Sequence, residues 1–151
     1  MPDRGTTPVF HHRIRVTWAD CDPALIAFTG RIPYWALEAI EAWWKAHVGL
    51  DWYELNVDRG IGTPFVRMEL DFRAPITPRD DLVCTVCLVH AGRTSVRHAV
   101  KGYQAQILCF EGTFVSAFVD GKSLTSREPP PDIARVFSDL ENGKNGAAGE
   151  N

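Results

Sequence analysis

The sequence predicts an α+β fold in which a five-stranded antiparallel sheet wraps around one long central helix. Three observations carry that expectation. An alternating apolar and polar segment opens the chain, a Trp-rich amphipathic stretch follows it, and four further alternating segments come after with turn chemistry between them. Consecutive strands on short connections pair antiparallel, because parallel neighbours need long crossovers, so these four are expected as a meander. One apolar face of such a sheet must be covered, and the Trp-rich helix is the only large element available to cover it.

The first strand is read from Phe10, His12, Ile14, Val16 and Trp18 alternating with His11, Arg13, Arg15 and Thr17. In the helix, Ile32, Trp35, Ala36, Ala39, Ile40, Trp43, Trp44 and His47 follow the i, i+3, i+4, i+7 rule, with Arg31, Glu38, Glu41 and Lys45 elsewhere. Pro33 is tolerated in the first turn, where its missing N–H has no partner to lose, and Gly49 supplies the stop. About 18 residues at ~1.5 Å each make a rod roughly 27 Å long. Residues 50–64 read as irregular, with turns at Gly60 and Gly62. Next comes a strand in which Val66, Met68, Leu70 and Phe72 alternate with Arg67, Glu69, Asp71 and Arg73. Pro75, Pro78 and Asp80-Asp81 end it. Further strands are expected near 82–90, 94–103 and 107–119, with turns at Ala91-Gly92-Arg93 and near Gln104. Pro129-Pro-Pro131 precedes a short helix from about Asp132 to Leu140. The expected organisation is one domain over residues 9–140 between disordered termini at 1–8 and 141–151.

Hydrophobic residues make up 45% and charged residues 23%, a balance that suits a folded globular domain rather than a disordered chain. A net charge of −3 gives no electrostatic reason to expect nucleic acid or an anionic membrane as partner. No apolar run approaches the ~20 residues that span a bilayer, and Met1-Pro-Asp-Arg-Gly-Thr-Thr-Pro8 lacks the apolar centre of a signal peptide. A cytoplasmic protein is therefore expected.

Cys84-Thr-Val-Cys87 has the spacing of a metal or redox pair but lies within a strand pattern, where that odd spacing sends the thiols to opposite faces. Cys84, Cys87 and Cys109 are expected to pack as small apolar side chains. His11 and His12 likewise point apart, and His47, His90 and His98 show no ligand spacing, so no metal is expected. The strand at 107–119 is apolar on both faces, with Ile107, Cys109 and Val115 on one parity and Leu108, Phe110, Phe114 and Phe118 on the other. One helix covers one face, so a second subunit is expected, as a homodimer or a homotetramer built from two dimers.

The chemistry-bearing stretch is Asp20-Cys21-Asp22-Pro23-Ala24, which puts two carboxylates in a turn at the mouth of the helix, where backbone N–H groups have no intrahelical partner. On the residues alone, Asp22 is either an Asx-type turn residue or a base or nucleophile. The tract Ile14-Arg-Val-Thr-Trp-Ala-Asp-Cys-Asp-Pro-Ala24 resembles the opening of hotdog-fold acyl-CoA thioesterases of the 4-hydroxybenzoyl-CoA thioesterase type. The resemblance runs from about Phe10 to Phe137, with its sharp motif over Arg15 to Phe28. It implies a hotdog fold and metal-independent hydrolysis of an acyl-CoA, with no cofactor beyond the coenzyme A of the substrate. It makes Asp22 the catalytic carboxylate, as nucleophile or general base, and Asp20 the support of the turn. The Thr29 backbone N–H is implied as the group that polarises the thioester carbonyl, with Gly30 allowing close backbone approach. Arg93, Thr94 and Ser95 match a turn that contacts the nucleotide, Arg97 and Lys101 being weaker candidates nearby. The Gly62-Thr63-Pro64-Phe65 loop resembles a segment that lines the acyl pocket from the partner subunit.

Two departures stand out. Leu25 replaces a common family glycine, and Thr29 replaces a common aromatic residue; Leu25 leaves loop geometry and substrate choice open. A second class of function, a non-catalytic protein that binds acyl-CoA or acyl carrier protein, stays open on the same ground. Glu38 and Glu41 are noted because another hotdog branch uses a helix glutamate. The chain has no Gly-x-Ser-x-Gly elbow, which removes the α/β-hydrolase route to the same reaction.

Overall fold

The structure, a computed structural model, describes residues 8–143. Strand β1 (Phe10–Ile14) leads through a single 3-10 turn at Trp18–Asp20 into helix α1 (Arg31–His47). A short helix α2 (Trp52–Val57) and a two-residue strand β2 (Ile61–Gly62) precede β3 (Phe65–Phe72), β4 (Leu82–Ala91), β5 (Ser95–Gln104) and β6 (Ile107–Ala117). Strand β7 (Val119–Asp120) pairs with β2, and helix α3 (Pro131–Glu141) closes the described chain. The expectations for the termini lie outside the described residues except at Pro8 and 141–143, where Glu141 is still helical.

The main sheet is antiparallel and runs β1-β4-β5-β6-β3. Five strands and one central helix are as expected, but the four-strand meander is not. Only β4, β5 and β6 follow one another; β3 pairs with β6 at the far edge, Met68 opposite Phe114 and Phe72 opposite Phe110. The reason is the connection 73–81, which is too long for a hairpin and carries Pro75 and Pro78. It leaves β6 through bonds from the Arg73 and Ala74 N–H groups to the Cys109 carbonyl, and crosses to β4 on the opposite side. The β5–β6 turn is a true two-residue hairpin, with Ala105 and Gln106 at φ 46° and 67°.

Helix α1 buries Ile32, Trp35, Ala36, Ala39, Ile40, Trp43 and Trp44, the stripe read from the sequence. Its C-terminus closes on Gly49 at φ 85°, whose N–H reaches the Trp44 carbonyl at 3.1 Å. The helix packs against β1, β4 and β5. Trp43, Trp44, Phe118 and Phe137 form an aromatic cluster that joins α1, the end of β6 and α3, with Trp43 and Phe137 stacked at 6.0 Å. Glu141 pins α3 to the β4–β5 turn by accepting the Ala91 N–H at 2.6 Å and facing His90 Nδ1 at 3.2 Å.

Helix α2 falls in the stretch expected to be irregular and is capped by Asp51, whose carboxylate accepts the Glu54 N–H at 2.8 Å. The Asp51-x-x-Glu54 spacing was its signal. Cys84 and Cys109 are buried as expected, and burial pushes the Cys84 thiol up to about 12. Cys87 is half-buried on the other face of β4, so it is not a core residue of this subunit.

The surplus of apolar surface sits elsewhere than expected. Phe110, Phe114 and Phe118 are the buried parity of β6, while Ile107 is exposed and the outer sheet face mixes Arg97 and Lys101 with Glu69 and Glu111. The unspent apolar positions are on edge strand β3, where Met68 and Phe72 share the helix-side face with Phe114 and Phe110. They remain 51% and 52% exposed, because α1 does not reach that far.

Candidate functional site

The loop between the 3-10 turn and α1 is built by its two aspartates. Asp20 Oδ2 accepts the Thr17 N–H at 2.8 Å and its hydroxyl at 3.2 Å, while Oδ1 lies 3.4 Å from Arg31 Nε. Arg31 stands at the first turn of α1, where a cation opposes the helix dipole, and Asp20 offsets that charge. The Asp20 carbonyl also accepts the Phe28 N–H at 2.8 Å, and the Asp22 N–H donates to the Ile26 carbonyl at 2.9 Å. These bonds fold residues 20–28 back on themselves and set Asp22 at the tip. Asp20 thus bonds Thr17 and Phe28 and pairs with Arg31, a partner not foreseen.

Asp22 Oδ1 accepts the Ala24 N–H at 2.8 Å, an Asx-type turn, and is half-buried. The Asx reading is thus correct for one oxygen. Among the described residues nothing bonds Oδ2, so one carboxylate oxygen holds the turn and the other is available. Thr29 and Gly30 precede α1 by two residues and one, and among the described residues nothing accepts the Thr29 N–H, while the Thr29 carbonyl accepts from Ile32 at 3.1 Å. Gly30 has ordinary helical dihedrals, and a Cβ there would lie 2.6 Å from the ring of the exposed Phe28, which would have to turn aside. Thr29 lines an apolar cleft of about 310 Å³ with Ile26, Phe72 and Ile76.

Leu25 closes the Asp22 turn, its N–H donating to the Asp22 carbonyl at 2.9 Å, and it does so at φ 65°. A left-handed residue with a Cβ costs roughly 1–2 kcal/mol, a cost that glycine would not carry.

The remaining predicted residues lie apart from this loop within the chain. Thr63 and Pro64 line a second apolar cleft of about 370 Å³ with Leu37, Trp52, Val119 and Leu124. Phe65 borders it but is anchored in the core, edge-on to Trp52 at 5.7 Å and Phe114 at 6.2 Å. Arg93, Thr94 and Ser95 form the β4–β5 turn, held by the Gly92 N–H on the Ser95 carbonyl and the Phe118 N–H on the Thr94 carbonyl, both at 2.8 Å. The Arg93 guanidinium is 82% exposed and sits 3.7 Å from Glu128 at the edge of a shallow groove. Arg97 and Lys101 are on the outer sheet face, away from that turn. Glu38 Oε1 accepts from His12 Nε2 at 3.0 Å, and Glu41 accepts the Trp52 N–H at 3.3 Å, so both helix glutamates tie α1 to neighbouring segments. No group of His, Cys, Asp and Glu suited to a metal occurs among the described residues.

A curled five-stranded antiparallel sheet around one helix, with an aspartate turn and an open N–H at the helix mouth, defines a hotdog-fold protein. The chain matches the thioesterase-like superfamily over residues 16–137 and belongs to that family. It is 30% identical over 133 residues to the 4-hydroxybenzoyl-CoA thioesterase of Pseudomonas sp. (strain CBS-3), covering 82% of this chain and 94% of that protein. The structure of that enzyme superposes with a TM-score of 0.73 at 26% identity, over 85% of this chain and 98% of the other. A thioesterase superfamily protein from Jannaschia sp. CCS1 gives a TM-score of 0.82 at 41% identity, over 91% and 93% of the two chains. Among the described residues no helix is long and apolar enough to cross a membrane.

Proposed function

We propose that this protein is an acyl-CoA thioesterase: an acyl- or aryl-CoA and water give the carboxylic acid and free coenzyme A. The observation that carries this is the division of labour in Asp22, one oxygen fixed by the Ala24 N–H and the other unbonded, at the mouth of a helix where the Thr29 N–H also has no acceptor among the described residues. The free oxygen attacks the thioester carbonyl or takes the proton of an attacking water. The Thr29 N–H and the α1 dipole stabilise the charge that grows on the carbonyl oxygen. Membership of a thioesterase family and similarity to an enzyme acting on an aryl-CoA support the reaction class.

The working unit in this reading is at least a homodimer. Edge strand β3, with Met68 and Phe72 half exposed, is the surface for a second copy, and the Thr63 loop of that copy completes the pocket over Asp22. Arg93 at the β4–β5 turn takes a phosphate of the nucleotide. A thiol-release assay against aryl- and short-chain acyl-CoAs tests the reading. Turnover of at least one member supports it, and tight binding with no turnover across the panel replaces the enzyme by a carrier or sensor.

A further inference from the structure

Four non-glycine residues among those described have left-handed backbone, and two of them, Ala105 and Gln106, are accounted for by the β5–β6 hairpin turn. The other two are leucines. Leu25 ends the Asp22 turn at φ 65°, and Leu124 lies at φ 59° in the loop after β7, on the wall of the cleft that holds Thr63 and Pro64. Their surroundings are alike. Each donates its N–H at 2.9 Å to the carbonyl of an aspartate, Asp22 or Asp120. Each of those aspartates also fixes its turn with its carboxylate: Asp22 holds the Ala24 N–H at 2.8 Å, and Asp120 Oδ1 holds the Ser123 and Lys122 N–H groups at 2.8 and 3.0 Å.

Both leucine side chains are also exposed, Leu25 by 63% and Leu124 by 70%. A leucine is poorly suited to left-handed backbone and gains nothing from facing water, so each position is unfavourable twice over in the isolated subunit. Neither side chain returns that cost through burial in its own chain. What the two share is position: Leu25 closes the turn that carries Asp22, and Leu124 lines the cleft of the Thr63 loop, which a second copy contributes in the shared-site reading. Strained residues held by rigid turns at the two halves of one composite site suit contact with the group that enters it.

We propose that Leu25 of one subunit and Leu124 of a second copy are the specificity-determining jaws of the acyl pocket, closing on opposite flanks of an uncharged apolar acyl group, an aryl ring or a medium alkyl chain. The inference rests on the shared-site thioesterase reading. Acetyl thioesters are too short to touch either jaw, and acyl groups that carry a charge where the jaws meet are refused.

The test uses Leu25→Gly and Leu124→Gly in the full chain, because glycine relieves the left-handed backbone and keeps both turns. Each variant should melt no lower than wild type. With benzoyl-CoA and hexanoyl-CoA, kcat/KM should fall about tenfold or more, the scale set by lost apolar contact, while acetyl-CoA changes less than about twofold. Subunit exchange between the two single variants should then restore about a quarter of the sites, since a mixed dimer carries one site with both leucines intact. Equal effects on acetyl and benzoyl substrates, no effect on any, or no recovery on mixing would overturn the proposal. Wild-type protein that turns over none of the three thioesters would instead overturn the thioesterase reading, and this inference with it.

Discussion

Asp20 and Arg31 form an ion pair, Oδ1 to Nε at 3.4 Å, that ties the aspartate loop to the first turn of α1. Asp20 is mostly shielded and Arg31 about half exposed, so the pair itself contributes little. The larger share comes from the Asp20 bonds to Thr17, which hold the 3-10 turn. Asp20→Ala should cost about 0.5–2 kcal/mol of stability, by loss of the carboxylate that caps the exposed Thr17 N–H and hydroxyl. Activity should fall as well, because the turn that presents Asp22 is loosened. Chemical denaturation alongside steady-state kinetics checks both; an unchanged midpoint would remove Asp20 from the support of the loop.

His98 is buried in β5, edge-on to Trp43 at 4.4 Å, and among the described residues nothing hydrogen-bonds either ring nitrogen. Burial, with a smaller contribution from nearby His47, lowers its pKa from 6.5 to about 3. Between those values the unfolded chain binds a proton that the folded chain refuses, so stability is full above about pH 6.5 and declines as pH falls toward 3. The total is of the order of several kcal/mol. His98→Leu should flatten the fall in Tm between pH 7 and pH 4.5. An identical acid limb in the variant would assign the loss to other groups.

Arg93 is exposed and, among the described residues, pairs at 3.7 Å with Glu128 alone, so its removal should not affect folding. Arg93→Ala should raise KM for coenzyme A thioesters about fivefold and leave the pantetheine thioester of the same acid nearly unchanged, since only the former carries the nucleotide phosphates. Equal losses on both substrates would take Arg93 out of the nucleotide site.

The Thr29 and Thr63 clefts are separate within one chain, and β3 leaves Met68 and Phe72 half exposed between water and a possible second sheet edge. Specific activity should therefore fall on dilution in step with the loss of dimer seen by light scattering. A fully active monomer would contradict the shared site.

Much of this was readable before the structure because side-chain period states which face of an element is buried. The α1 stripe and the alternation of Val83 through Leu88 are cases in point. What periodicity does not encode is the identity of a strand's neighbour. Residues 66–72 form a strand as their alternation states, but next to β6 rather than β4, since alternation names no neighbour and the long proline-bearing link at 73–81 crosses the sheet instead of turning back as a hairpin. The surplus apolar surface was sought on β6 and found on β3 for the same reason. At the site, the aspartate turn was legible from residue types alone, whereas the left-handed conformations of Leu25 and Leu124 were not, because leucine carries no signal for positive φ. At Asp22 the turn was legible and is present on Oδ1, while no described residue bonds Oδ2.

The most direct measurement is kcat of Asp22→Asn on the best thioester of the panel, with thermal melting and oligomer mass taken on the same sample. Asparagine keeps a carbonyl oxygen for the Ala24 N–H, so the turn and the Tm should be preserved. An amide is neither a useful base nor a nucleophile, so kcat should fall by about 10²–10⁴. A correctly folded Asp22→Asn protein with wild-type kcat would contradict the assignment of this carboxylate to the chemistry.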